Sequence, residues 1–277
     1  MGVGEQQEKG KFRILICFKV VHDLDTVLEA DWKCATDGKV DVSYTRVQLG
    51  CYDEAALENG LRLADQLRQL GRETEVTAFT VGPEASDEIF KNLYAVKCDR
   101  VVFRECREDL SFYPERTAME IASFAESEGG FDLILMGQKA SVGDSGRVPW
   151  TTAEYLGLPA VSQVRELFIR DGAVLAVSEA DGWERSYLCR KAVVCAFGNA
   201  RYPYLRVATL REKLSSAKKQ VQLWTGPGRE GKRQAEPAEP VGFYRQAEEY
   251  RCAVVEGSNT RERAEQLYKI LKEAGIL

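Results

Sequence analysis

Residues 137–146 read GQKASVGDSG. An apolar, strand-like stretch at 131–136 precedes them, and a stretch of helical period at 147–156 follows. A strand that feeds a glycine-rich turn opening a helix aims several backbone N–H groups, and the positive end of the helix dipole, at one point. An anion fits such a point. Gly143 and Gly146 let the backbone come close, while Asp144 and Ser145 add a capping carboxylate and a hydroxyl. The same letters also suit an ordinary strand-to-helix turn, so the neighbouring segments have to decide.

Those segments alternate. Runs rich in β-branched residues at 13–21, 74–81, 100–103 and 132–136 predict strands. Between them 53–70, 83–96 and 114–126 repeat apolar residues at helical spacing, and the first opens with acids as the helix dipole favours. Strand–helix alternation implies right-handed crossovers, hence an α/β fold with a mostly parallel, doubly wound sheet. Ligands of such sheets sit at the carboxyl ends of the strands, where strand order reverses. The exits after Val21, at Val81-Gly82-Pro83 and after Gly137 are all of that kind. No exit reads GxGxxG, GxxxxGK[ST] or the SGGxDS of a pyrophosphatase loop, so the usual dinucleotide and triphosphate fingerprints are missing.

Past Pro159 the pattern becomes antiparallel. Strands at 161–170, 174–179 and 183–188 are separated by Asp171-Gly172 and Asp181-Gly182, the signature of tight hairpins. A last core strand follows at 192–197. From Ser215 the core pattern fades, and 225–240 (TGPGREGKRQAEPAEP) has the composition of an extended linker. A short strand at 252–255 and a helix at 260–274, capped by Gly275, form an ending that cannot bury its own apolar face. Three segments are therefore expected: a nucleotide-binding body (1–224), a linker arm (225–251) and a strand–helix unit (252–277) that docks elsewhere.

Composition narrows the function. With 44% hydrophobic and 29% charged residues the chain is an ordinary globular protein, and its net charge of −5 leaves no domain-wide basic surface for nucleic acid. No apolar run reaches membrane-spanning length, and the polar N-terminus is unlike a signal peptide; a cytoplasmic protein is expected. Eight cysteines lie scattered without a CxxC pair, as small core residues in a reducing compartment would, and no metal site is expected. The only histidine, His22, reads as a hydrogen-bonded loop residue; beside Asp23 it could alternatively serve as a base.

In this order the pieces resemble the beta subunit of electron transfer flavoproteins, the family that includes FixA-type proteins. ILICFKVVHD (14–23) is similar to its opening strand and turn, and GCYDEAALENGLRLAD (50–65) to its Asn-Pro-Tyr-Asp-Glu helix start. TAFTVGPEASDEIFKNLYAVKCDRVV (77–102) resembles its strand, Gly-Pro turn, helix and return. FDLILMGQKASVGDSGRV (131–148) resembles its Gly-Asp-Thr-Gly-Gln-Val loop, and RYPYLR (201–206) completes the series. Each motif is weak; their order and spacing are specific.

The resemblance implies a Rossmann-like, adenine-nucleotide-binding sheet in a heterodimer whose alpha subunit carries FAD. The beta chain then holds AMP, or a second FAD. Its nucleotide site falls to Cys17, Val81, Gly137, Gln138, Lys139, Ala140, Gly143, Asp144, Ser145, Gly146, Arg147 and Val148, with Tyr52 facing the flavin. Residues 196–206 become a loop that docks a dehydrogenase, Tyr202 and Leu205 being its apolar contacts and Phe197 and Tyr204 exposed beside them. Three positions depart from the family: Gly50-Cys51 stands for Asn-Pro, His22 for proline and Val142 for an acid. The implied function is electron carriage without substrate chemistry. A freestanding adenine-nucleotide-binding regulator is the alternative, but it has no use for a docking unit beyond a long linker. A nucleotide-cleaving enzyme lacks its catalytic groups.

Overall fold

Strand β1 (Phe12–Cys17) is covered on both sides, because alternate residues point to opposite faces. Phe12, Ile14 and Ile16 enter one apolar cluster, and Leu15 and Cys17 enter another. The computed structural model describes residues 10–32, 40–83, 85–108, 110–141, 143–226, 252 and 254–276. They fall into two units, one within Met1–Asp31 and Asp41–Pro240, the other within Trp32–Val40 and Val241–Leu277.

The larger unit follows the predicted alternation. After β1 come the short β2 (Val20–His22) and β3 (Val47–Leu49), which pair antiparallel apart from the main sheet. Helix α1 (Cys51–Gln69), strand β4 (Thr74–Gly82), helix α2 (Asp87–Ala95) and strand β5 (Arg100–Glu105) follow. Then come α3 (Pro114–Ser127), β6 (Leu133–Gly137), α4 (Val148–Leu156), β7 (Ala160–Arg170), β8 (Ala173–Ala180), β9 (Trp183–Cys189) and β10 (Val193–Phe197). A short helix α5 (Leu210–Ser216) and a two-residue strand β11 (Gln222–Leu223) close the unit.

The main sheet has the order β11-β5-β4-β1-β6-β10-β7-β8-β9. From β11 to β7 every pairing is parallel, and β8 and β9 add an antiparallel end. Both hairpin turns carry left-handed Asp-Gly pairs (φ of 51° and 72° at Asp171 and Gly172, 54° and 75° at Asp181 and Gly182), the mirror-image turn that suits strand twist. Helices α1 and α2 bury Leu57, Leu61, Phe90 and Leu93 on one face, while α3 and α4 bury Ile121, Phe124 and Ala153 on the other. The fold class is the one read from the alternation.

Three expectations need correction. The sequence pattern fades after Ser215, yet β11 pairs with β5, and Trp224 lies edge-on to Phe79 and Phe124 with centroids 6.1 and 5.6 Å apart. A single aromatic side chain closes the sheet edge, which a periodicity search cannot register. Phe197, expected at the surface, is fully buried because it is the last residue of β10 and pairs with Gly137. No strand forms at residues 252 and 254–257, which lie without a partner strand among the described residues. The helix beyond them is present: α6 (Thr260–Glu273) is capped by the Asn259 side chain, is followed by Gly275 at φ 69°, and buries none of its residues.

Candidate functional site

Strand order reverses between β1 and β6. The chain leaves β1 for β4 and β5 on one side, then returns to β6 on the other. The pairing register of β1 and β6 ends at Ile16↔Leu135. Doubly wound sheets take their ligands at such a point, in the crevice outside the carboxyl ends of the strands.

The glycine-rich loop leaves β6 into this crevice. Gly137 sits against the first turn of α1: a Cβ at this position would lie 2.4 Å from Asp53 Oδ1 and 2.9 Å from Tyr52 Cβ, so only glycine admits the helix. The loop then folds back, bringing Gly146 (φ 62°) over the Gln138 carbonyl, and Gly143 (φ 85°) so close to Ser111 that its Cβ would fall 1.9 Å from that carbonyl oxygen. Within the loop Lys139 pairs with Asp144 at 3.2 Å, and Arg147 reaches Glu115 of α3. The expected capping carboxylate is therefore not a cap. Asp144 is taken by Lys139, the N-cap of α4 is Arg147, and no side chain caps the helix. Ser145 Oγ accepts only a long 3.4 Å bond from the Arg147 N–H. Helix α1 likewise begins at Gly50 without a side-chain cap. Two helix N-termini with uncapped backbone donors thus open at the carboxyl edge of the sheet.

Cys17, Val81 and Val148 meet in one apolar cluster beneath the crevice, where burial, with the charge of Asp53 added, pushes the Cys17 thiol up and keeps it protonated. Ala140 is half-buried in the loop. The amide oxygen of Gln138 is buried without a hydrogen-bond partner, close to Gln163, whose backbone is left-handed (φ 50°) where β7 bulges. Of the residues named from the sequence, Cys17, Val81 and Val148 thus share one cluster, and Gly137 lies against Tyr52 at the start of α1.

A model of the electron transfer flavoprotein domain matches residues 40–226. The chain is 30% identical over 213 residues to YgcR of Escherichia coli (strain K12), a protein assigned as an electron transfer flavoprotein subunit; the match covers 75% of this chain and 79% of YgcR. It is 28% identical over 170 residues to the electron transfer flavoprotein subunit beta of Syntrophomonas wolfei, covering 61% of this chain and 63% of that one. The chain belongs to the electron transfer flavoprotein family. Within that family it is of the beta type.

In this electron transfer flavoprotein chain Tyr202 and Leu205 lie away from the crevice, on the segment after β10 that grips α1. Asn59 donates to the Tyr202 carbonyl at 3.1 Å, Leu205 N–H donates to Glu54 at 3.1 Å, and Arg62 lies 3.6 Å over the Tyr202 ring. Buried Glu58 accepts from both Arg206 and Arg62, and Arg206 also reaches Asp65 at 2.6 Å. This lattice turns Leu205 partly inward against the core. The side chains left outside are Tyr204 (78% exposed), Val207 (88%) and Leu210 (73%), of which the sequence reading named only Tyr204.

The reading also missed Asp53 as a site residue. In the sequence the acid presents itself as a dipole-compensating helix start, whereas its carboxylate is buried and accepts the N–H groups of Lys19 and Gly137, each at 2.9 Å. The one hint in the sequence is that the acid is the third residue of a helix beginning just after a strand exit. His22 bonds Thr45 Oγ1 through Nδ1 at 3.0 Å on strand β2.

Proposed function

We propose that this chain is the beta subunit of a heterodimeric electron transfer flavoprotein that relays electrons from a dehydrogenase to a downstream acceptor. Its partner is an alpha subunit bearing FAD, and the β1/β6 crevice holds AMP or a second FAD. The observation that carries the reading is the uncapped N-terminus of α4, set behind a glycine-folded loop at the sheet's switch point.

The residues fit such a group. The loop backbone over 143–148 offers donors to a phosphate, Lys139 and Arg147 bring cations that are paired with Asp144 and Glu115, and Gly143 and Gly146 supply the left-handed turns that fold the loop back. The buried, unpartnered oxygen of Gln138 is an acceptor suited to an amino or hydroxyl donor of a nucleotide. Tyr52, on the first turn of α1, faces the flavin side. The bound flavin supplies the redox chemistry, and the chain orients it and excludes water. No catalytic residue is assigned. The chain acts as a carrier subunit in the cytoplasm, and no helix among the described residues is long and apolar enough to cross a membrane.

The segment after β10 docks the dehydrogenase through the half-buried Tyr202 and Leu205, with the exposed Tyr204, Val207 and Leu210 extending the apolar surface; in such surfaces a few anchors carry most of the energy. The region 252–277 docks on the alpha subunit, and α6 presents Leu267, Tyr268 and Ile270 for that contact.

The test is Gly146→Val. A β-branched residue is strained at φ 62°, so the loop must open and release its ligand while the sheet, whose core lies elsewhere, still folds. Nucleotide extracted from the purified variant should fall to a small fraction of the wild-type content. An unchanged content in a folded variant contradicts the assignment.

A further inference from the structure

In a parallel sheet each strand sends successive N–H groups alternately to its left and right neighbour. Phe18 donates to Phe79 on the β4 side and Gln138 donates to Phe197 on the β10 side, at 3.0 and 2.8 Å. The next N–H in one chain, Lys19, and the preceding one in the other, Gly137, point into the gap between β1 and β6. There the ladder has already ended at Ile16↔Leu135. Asp53 fills the gap, with Oδ2 accepting from Lys19 and Oδ1 from Gly137, each at 2.9 Å.

We propose that Asp53 is the positioning residue of the crevice: its carboxylate replaces the missing ladder, tying the exit of β1 to the first residue of the phosphate loop and to α1. The inference rests on the nucleotide reading above and adds how the site is held open in register. Three features support it. The carboxylate is spent on two different chain segments rather than on its own helix end. Gly137 is packed so tightly on the start of α1 that a Cβ would meet Asp53 Oδ1 as well as the Asp53 backbone nitrogen and Tyr52 Cβ, both at 2.9 Å, so the carboxylate and the loop's first residue fit only together. Burial also disfavours ionisation, raising the carboxyl to about 6, yet both of its oxygens are used as acceptors, a pairing that a single-acceptor side chain cannot reproduce.

The experiment uses the full chain at pH 8 with AMP and, separately, FAD as the probe, comparing wild type with Asp53→Asn for nucleotide affinity, thermal midpoint and amide exchange at Lys19 and Gly137. Asparagine has one acceptor oxygen, so one of the two N–H groups loses its partner. The expected result is at least tenfold weaker binding of the nucleotide that the wild type takes, faster exchange at one or both amides, and a thermal midpoint within a few degrees of wild type. A residue that merely stabilises the fold would lose affinity only in step with the midpoint, and that outcome overturns the proposal. So does wild-type affinity in the variant. A wild-type chain that binds neither AMP nor FAD overturns the nucleotide reading and this inference together, whereas wild-type binding of either, with an indifferent variant, overturns the clamp alone. If Asp53→Asn does not fold, Gly137→Ala, which displaces the same carboxylate oxygen, is read by the same three measurements.

Discussion

Burial holds the Asp53 carboxyl at about 6, above its ordinary 3.8, although two backbone N–H groups and the charge of Lys19 pull it down. Because the folded value exceeds the unfolded one, the folded state binds the proton more tightly. The resulting stability is complete below about pH 4 and is lost as pH rises through about 6, a difference on the order of 3 kcal/mol. Paired carboxylates such as Glu128, held down by Arg100, act in the opposite sense, so the comparison has to be between variants. Denaturant unfolding of wild type and Asp53→Asn at pH 4 to 8 should show the wild type losing stability relative to the variant as pH rises across that window. A constant difference would contradict the buried charge. At this scale the glycines of the loop were legible, since a turn that approaches a helix start must lack side chains. Asp53 was not, because its role depends on two N–H groups belonging to distant strands.

Among the elements, those with a strong local code were read almost to the residue. The Asp-Gly turns fix the hairpins of β7, β8 and β9, and the apolar repeats of α1 and α3 fix their buried faces. Short pieces escaped: β3, α5 and β11 have too few residues for a period to register, and α5 is recognisable mainly by the capping box of Thr209 and Glu212. Trp224 gives β11 its weight, packing against Phe79 and Phe124, which are themselves stacked at 4.3 Å. A chain cut after Gly226 retains this closure. It should stay folded and keep its nucleotide, yet fail to form a stable heterodimer, as α6 is gone. Size-exclusion chromatography of the truncated chain co-expressed with an alpha subunit checks this, and stoichiometric co-elution would contradict the docking role of the C-terminal region. The expected linker, 225–251, lies outside the described residues except for Thr225 and Gly226.

For the molecule as a whole, the sequence carried the fold class because alternating strand and helix patterns leave few topologies, and the switch point follows from strand order. The surface of the segment after β10 was less legible. The ion lattice of Glu58, Arg62, Asp65 and Arg206 decides which side chains of the 201–206 segment turn inward, and no local pattern encodes that choice. The central claim is that this electron transfer flavoprotein chain works as the nucleotide-bearing partner of a flavin subunit. Its most direct test is to purify the chain alone and co-expressed with the alpha subunit from the same source, measuring subunit ratio, visible absorbance and extracted nucleotide. The account predicts a one-to-one complex with a flavin spectrum, containing FAD together with AMP or additional FAD in proportion to this chain. A chain that stays monomeric beside the alpha subunit, colourless and free of nucleotide, would contradict it.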